Sequence, residues 1–114
     1  MSTLRASVSA GESGPVIRLS GEVDITNAAE LSELISGQLA GETQQLTIDV
    51  AGLDFADTAA IRVLVVAARR LRQRGGGLVL LRLQRALARV LEILGAEEVV
   101  AIRGETEARP GPEP

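Results

Sequence analysis

Two short segments gather acidic and hydroxyl side chains where predicted strands give way to predicted helices. The first spans 21–26 and reads Gly-Glu-Val-Asp-Ile-Thr; the second spans 53–60 and reads Leu-Asp-Phe-Ala-Asp-Thr-Ala-Ala. A carboxylate pair such as Asp24 and Asp57 is suited to holding a metal or to acid–base work. A hydroxyl at a helix N-terminus, as predicted for Thr58, lies where a phosphate would meet free N–H donors. These segments are the candidate functional site.

Each of these residues also has a purely structural interpretation. Asp57 or Thr58 is suited to capping the N-terminus of the helix that follows, because either side chain can accept from a free backbone N–H. Asp24 is suited to satisfying the backbone of its own turn. A capping role does not exclude a functional one, and both interpretations stay open at this point.

Several classes of chemistry are excluded by residue type. The chain has no Cys and no His, which removes disulfides, Cys nucleophiles, His general bases and the usual zinc sites. The run Gly75-Gly76-Gly77 follows a predicted helix instead of opening one, so it is a stop signal and not a nucleotide cradle. We therefore expect a protein that is not an enzyme and needs no cofactor or metal.

Composition argues against nucleic acids and membranes as direct partners. The chain has 114 residues, a net charge of −3 and a single aromatic residue, Phe55. The acidic balance argues against duplex binding, and a single aromatic residue does not provide the platforms that stack single-stranded bases. Residues 1–10 contain no apolar stretch long enough for a signal peptide, and no stretch of the sequence is apolar enough to span a bilayer. We expect a cytoplasmic protein.

The hydrophobic pattern predicts the order β-β-α-β-α-β-α, with a further short strand at the end. The predicted strands are Leu4–Val8, Pro15–Leu19, Gln45–Val50, Leu78–Leu81 and Val99–Ile102, and the predicted helices are Asn27–Leu39, Ala59–Arg74 and Arg85–Leu94. Asn27 followed by Glu30 has the spacing of a capping box at the first helix. The basic run 69–74 is interpreted as a solvated helix end.

These elements predict a small α/β domain. The first two strands should form a hairpin, while helices between the later strands imply parallel crossovers and hence a mixed sheet. Both candidate segments follow strands that run into helices, so they should lie at the same edge of the sheet. At this length we expect one domain, residues 1–102, followed by a disordered tail rich in Pro and Glu, residues 103–114.

The candidate segments resemble motifs of a known family. Residues 20–28, Ser-Gly-Glu-Val-Asp-Ile-Thr-Asn-Ala, resemble the opening of STAS domains of the anti-sigma factor antagonist type, and residues 55–61, Phe-Ala-Asp-Thr-Ala-Ala-Ile, resemble their "F-[IM]-D-S-[ST]-G-L" loop. The central strand at 46–53 and the later segments 75–80 and 90–95 are similar in the same register. The resemblance spans nearly the whole chain, to about Ile102.

The resemblance implies a fold, a function and a partner. The fold is a single STAS domain with a mixed sheet of four or five strands and helices packed mainly on one side. The function is to bind an anti-sigma factor, a serine/threonine kinase of the histidine-kinase-like ATPase fold, and so release a sigma factor. The domain would work as a monomer or weak dimer. The implied partner-binding residues are Glu22, Asp24, Thr26, Phe55, Asp57, Thr58, Ala60 and Ile61.

The chain departs from the family pattern at two positions. Ala59 stands at the usual phosphoacceptor position, which leaves Thr58 as the candidate acceptor, and Ala60 stands where the family usually has Gly. STAS proteins of lipid-transport complexes carry Thr at the first hydroxyl position, as this chain does. A non-catalytic adaptor subunit of a transporter ATPase or of a stress-sensing assembly is therefore the alternative function.

Overall fold

The computed structural model describes residues 3–96 and 100–103. Its five strands form one sheet in the order β1-β2-β3-β4-β5, in which β1 and β2 are antiparallel and all later pairs are parallel. The strands are β1 Leu4–Ala10, β2 Pro15–Val23, β3 Gln45–Ala56, β4 Gly77–Leu81 and β5 Val100–Arg103, and the helices are α1 Ala28–Leu39, α2 Thr58–Gln73 and α3 Arg85–Ile93. The predicted order, hairpin and mixed sheet are confirmed.

The element boundaries differ from the prediction mainly at the candidate segments. β2 continues to Val23 and β3 continues to Ala56, so part of each predicted loop is strand. Arg103, predicted as the first residue of the tail 103–114, belongs to the last strand, and the rest of that predicted tail lies outside the described residues. Within the described part of the chain, no helix is long and apolar enough to cross a membrane.

All three helices bury their apolar side chains in one core. Every crossover moves one strand further in the same direction, and right-handed crossovers then place α1, α2 and α3 on the same face of the sheet. Leu31, Leu64 and Leu91, one from each helix, share a core cluster with Ile48 of the central strand. The core contains no aromatic side chain and is filled by Leu, Ile, Val and Ala.

The end of α2 is held to the end of α1 by one arginine. Gly75 adopts a positive φ of 86°, and Gly76 N–H donates to the Leu71 carbonyl at 2.9 Å, which ends α2 as the glycine run predicted. Nη1 of Arg74 donates to the carbonyls of Leu39, at 2.7 Å, and Thr43, at 2.9 Å. The interpretation of residues 69–74 as a solvated end is therefore wrong for Arg74, whose side chain satisfies backbone acceptors after α1.

The opposite face of the sheet carries a buried carboxylate. Asp49 of β3 is buried and forms ion pairs with Arg82, which follows β4, and with Arg18 of β2, whose Nε lies 3.8 Å from Asp49 Oδ2. Burial raises the pKa of Asp49, but hydrogen bonds from the Arg82 side chain and the Ala51 N–H, with the charges of both arginines, outweigh it and leave the pKa lowered.

Candidate functional site

The sheet brings the two candidate segments together. Glu22 pairs with Phe55 and Val23 with Ala56 at the carboxyl ends of β2 and β3. Just beyond, the Asp57 N–H donates to the Val23 carbonyl at 3.2 Å. The prediction that both segments lie at one edge of the sheet is confirmed, and the reason is that β2 and β3 are parallel neighbours.

Asp57 performs two tasks with one carboxylate. Its Oδ1 accepts from the N–H groups of Ala59, at 2.9 Å, and Ala60, at 3.1 Å, and so caps α2. Its Oδ2 accepts from the Ile25 N–H at 3.1 Å and ties the first segment to the second. The capping interpretation is confirmed for Asp57, and Thr58 becomes the first residue of α2.

Asp24 and Asn27 organise the first segment from within. Asp24 Oδ1 accepts from the backbone N–H and the hydroxyl of Thr26, at 2.9 and 2.5 Å, which confirms the turn role expected for Asp24. The buried Asn27 side chain accepts from the Asp24 N–H at 2.9 Å and donates to the Glu22 carbonyl at 3.0 Å. Asn27 makes no side-chain cap to α1, so the predicted capping box is wrong. Its amide turns back to hold the turn instead.

The first segment opens with Gly21 because the backbone there leaves no room for a side chain. The φ of Gly21 is 98°, and a Cβ at this position would come 2.2 Å from the Thr3 carbonyl oxygen. The next residue, Glu22, donates its N–H to that same oxygen at 2.9 Å. The start of the chain therefore passes so close to β2 that no side chain fits, and the strand geometry before the turn depends on this glycine.

The predicted site residues fall into three groups by exposure. The exposed ones are Glu22, Thr26, Phe55 and Thr58, the half-buried ones are Asp24 and Asp57, and the buried ones are Ala60 and Ile61. The last two are each 1% exposed and belong to the core. Their predicted role in contacting a partner is thus corrected: they lie on the inward face of α2, and a motif resemblance does not tell which way a side chain points.

Ile25 is a site residue that the sequence analysis missed. It is 79% exposed, and Phe55 is 53% exposed. The backbone of Ile25 is fixed by Asp57, so its apolar side chain is presented to solvent from an ordered turn. The sequence could have indicated this exposure, because Ile25 lies between polar Asp24 and Thr26 and belongs to no strand or helix pattern that would bury it. We call the exposed residues Glu22, Ile25, Thr26, Phe55 and Thr58 the loop face.

The Asp24 and Asp57 carboxylates of the candidate segments accept hydrogen bonds from the protein itself. Asp57 already accepts from three backbone N–H groups, and Asp24 accepts from Thr26. Among the residues that the structure describes, no group of three or more acidic side chains could hold a metal ion. Beside Phe55, a cleft of about 210 Å³ opens between the end of β3 and the start of α3, with Leu87 and Val90 in its lining.

Comparison with known proteins agrees with this geometry. Residues 7–108 match the STAS domain. The chain is 31% identical over 107 residues to the anti-sigma-F factor antagonist RsfA of Mycobacterium tuberculosis, covering 92% of this chain and 84% of that protein. It is 32% identical over 87 residues to the anti-sigma-B factor antagonist of Listeria monocytogenes, covering 76% of each. A crystal structure of an anti-sigma factor antagonist from Mycobacterium paratuberculosis superposes with a TM-score of 0.79 at 20% identity, covering 89% of this chain and 86% of that one.

Proposed function

Because this chain belongs to the STAS domain family, we propose that it is an anti-sigma factor antagonist: it binds an anti-sigma factor, so that a sigma factor is released and transcription is regulated. Relatives that are 31% and 32% identical to this chain, and matched over 84% and 76% of their own length, carry that name. We further propose that the partner is a kinase of the histidine-kinase-like ATPase fold. Such a protein would act in the cytoplasm as a binding protein without catalysis of its own.

The observation that carries this proposal is the loop face itself. Two apolar side chains, Ile25 and Phe55, project from backbone that hydrogen bonds already hold in place. Burying a side chain of this size contributes about 1.5–3 kcal/mol, and preorganised backbone reduces the entropic cost of docking. Polar Glu22 and Thr26 would form the rim that such an interface needs.

Thr58 supports a switch on the same surface. Its side chain is exposed at the first position of α2, and its neighbour Ala59 has no hydroxyl. A phosphate would add about −1.5 to −2 charges at a helix N-terminus, where the dipole favours negative charge. The fold would therefore tolerate the modification, while a partner docked on the loop face would meet new charge beside Asp57. We propose that phosphorylation of Thr58 weakens partner binding.

Gentle affinity purification of the tagged protein from its own cells, followed by mass spectrometry, tests the proposal. Recovery of an anti-sigma factor with a kinase-type ATPase domain, bound by the wild-type protein and lost on Ile25→Asp, is the expected result. The matched control is Ile93→Asp, since Ile93 is also exposed but lies on α3 and not on the loop face. Recovery of no such partner, or a partner indifferent to Ile25, would contradict the proposal.

A constitutive adaptor subunit of a transporter ATPase or stress-sensing assembly is the second candidate. Ala59 favours it, because the residue that usually accepts the phosphate in this family is replaced by one that cannot. The same purification separates the two candidates, since the adaptor would bring down transporter or sensor subunits. If the chain is such an adaptor, incubation with kinase and ATP would leave its affinity for the transporter or sensor subunits unchanged.

A further inference from the structure

A groove outside the loop face runs along α2. It has a volume of about 610 Å³, begins at Thr58 and is enclosed by α2 on one side and by the end of α3 on the other. Val66 and Leu94 both line it and are 52% and 48% exposed. The apolar lining thus continues away from the loop face.

The rim of this groove is basic. Arg62 and Arg69 both line it, and both are exposed. They lie seven residues apart on α2, with Val66 between them, so all three share one helical stripe about 10 Å long. Among residues 3–96 and 100–103, which the structure describes, no acidic residue lines the groove.

Charge along the chain is strongly segregated around this groove. Every charged residue between 58 and 91 is an arginine, whereas between 12 and 57 every charged residue except Arg18 is acidic. α3 carries Arg85 and Arg89 but also Glu92, whereas all four charged residues of α2 are arginines, so the α2 side of the groove forms a basic wall despite the net charge of −3. Such a wall attracts an acidic partner and repels a basic one, even though the whole protein is acidic.

We propose that this groove is a second docking surface and receives an amphipathic helix with acidic flanks from the protein that binds the loop face. The apolar stripe of such a helix would cover Val66 and Leu94, and its Asp or Glu side chains would pair with Arg62 and Arg69. Thr58 belongs to the loop face and also lines the groove, so one partner can contact both surfaces. This inference rests on the proposed function.

The test compares two charge reversals of equal size. The partner recovered by purification is titrated by calorimetry at about 50 and 300 mM salt against wild type, the double variant Arg62→Glu/Arg69→Glu and the control Arg5→Glu/Arg70→Glu. Arg5 and Arg70 are exposed and lie outside the groove. We expect the groove variant to lose at least about tenfold in affinity at low salt, with a smaller loss at high salt, and the control to stay within about threefold.

Further variants separate this inference from the proposed function. If Ile25→Asp abolishes binding while the groove variant matches its control, the loop face is correct and the groove is overturned. If Ile25→Asp has no effect, the loop-face proposal fails, whatever the groove variant does. Should the double variant not fold, as judged by circular dichroism, Leu94→Asp tests the apolar side of the groove, and wild-type affinity there overturns the inference.

A lipid surface is the competing occupant for a basic, apolar groove. Sedimentation with vesicles of phosphatidylserine and phosphatidylcholine measures it directly. Wild-type protein that sediments with these vesicles, and loses this on Arg62→Glu/Arg69→Glu, would assign the groove to a membrane and overturn the helix proposal. No sedimentation, together with the calorimetric result above, supports a protein partner.

Discussion

Oδ2 of Asp57 accepts a hydrogen bond from the Ile25 N–H at 3.1 Å, joining two residues that are 32 positions apart in the chain. The other oxygen of the same carboxylate caps α2. One side chain therefore fixes both the start of α2, where Thr58 lies, and the turn that presents Ile25. Asp57 positions the loop face more than it contributes its own surface to it.

Replacing Asp57 should separate these two tasks. Asp57→Ala removes the cap and the link to Ile25, and we expect it to lower the free energy of unfolding by about 2 kcal/mol, the sum of a typical cap and a typical hydrogen bond. Asp57→Asn keeps a good capping oxygen and loses only the bond to Ile25, because its amide nitrogen faces the Ile25 N–H. It should therefore lower the free energy of unfolding less than Asp57→Ala does. Urea denaturation measures both, with the exposed Glu33→Ala as control.

Partner affinity should depend on the hydrogen bond between Asp57 and Ile25 and not on the capping of α2 by Asp57. Because both Asp57 variants release Ile25, both should weaken binding to the purified partner by a similar factor, despite their different stabilities. Asp57→Asn with wild-type affinity would show that the turn holds its shape without the Asp57 link.

Asn27→Asp should destabilise the protein through a single lost donor. The buried amide donates to the Glu22 carbonyl and accepts from the Asp24 N–H. A carboxylate at this position can still accept from the Asp24 N–H, but it has no donor for the Glu22 carbonyl. We therefore expect the free energy of unfolding to fall by about 1–3 kcal/mol. The exposed Gln73→Glu makes the same amide-to-acid change. Equal unfolding midpoints for the two variants would contradict this role for Asn27.

Much of the fold was predictable, because the element order depends on local patterns. Alternation predicted the core strands, and the spacing of apolar residues predicted the helices. The meeting of Asp57 with the first segment followed from parallel strand topology. Asn27 was misread because two acceptable partners, a helix N-terminus and the turn before it, lie within its reach, and only the folded backbone decides between them. Ile61 was misplaced for a similar reason, since a motif carries no information on which helix face points inward.

Loss of Arg74 should lower stability markedly, whereas loss of Arg70 in the same basic run 69–74 should not. Its guanidinium donates to the carbonyls of Leu39 and Thr43, which would otherwise lack this charged donor. We expect Arg74→Ala to cost about 1–3 kcal/mol and Arg70→Ala, at an exposed position, to stay within about 0.5 kcal/mol. Chemical denaturation of the two variants provides the comparison. A similar small change in both would mean that solvent replaces the Arg74 hydrogen bonds without cost.

Asp49 should make stability depend on acid pH. Its pKa in the folded protein lies below the ordinary value of 3.8, because the bonds and charges from Arg82 and Arg18 outweigh burial. The ionised carboxylate therefore stabilises the fold at neutral pH, and this contribution is lost as pH falls through about 4 and below. At about pH 6 the Asp49→Asn variant should have a lower free energy of unfolding than wild type. This difference should become smaller as the pH falls to about 3. A deficit that stays constant over that range would contradict the lowered pKa.

Thr58→Glu and Thr58→Gln form a matched pair for the switch. The two side chains have nearly the same size, but only Glu adds a negative charge at the first position of α2. That charge suits the helix dipole, so Thr58→Glu should fold at least as stably as wild type. Its affinity for the purified partner should nevertheless fall by about tenfold, whereas Thr58→Gln should remain within about threefold, because new charge on the loop face opposes docking. Equal affinities for the pair would favour the adaptor function, in which charge at Thr58 carries no signal.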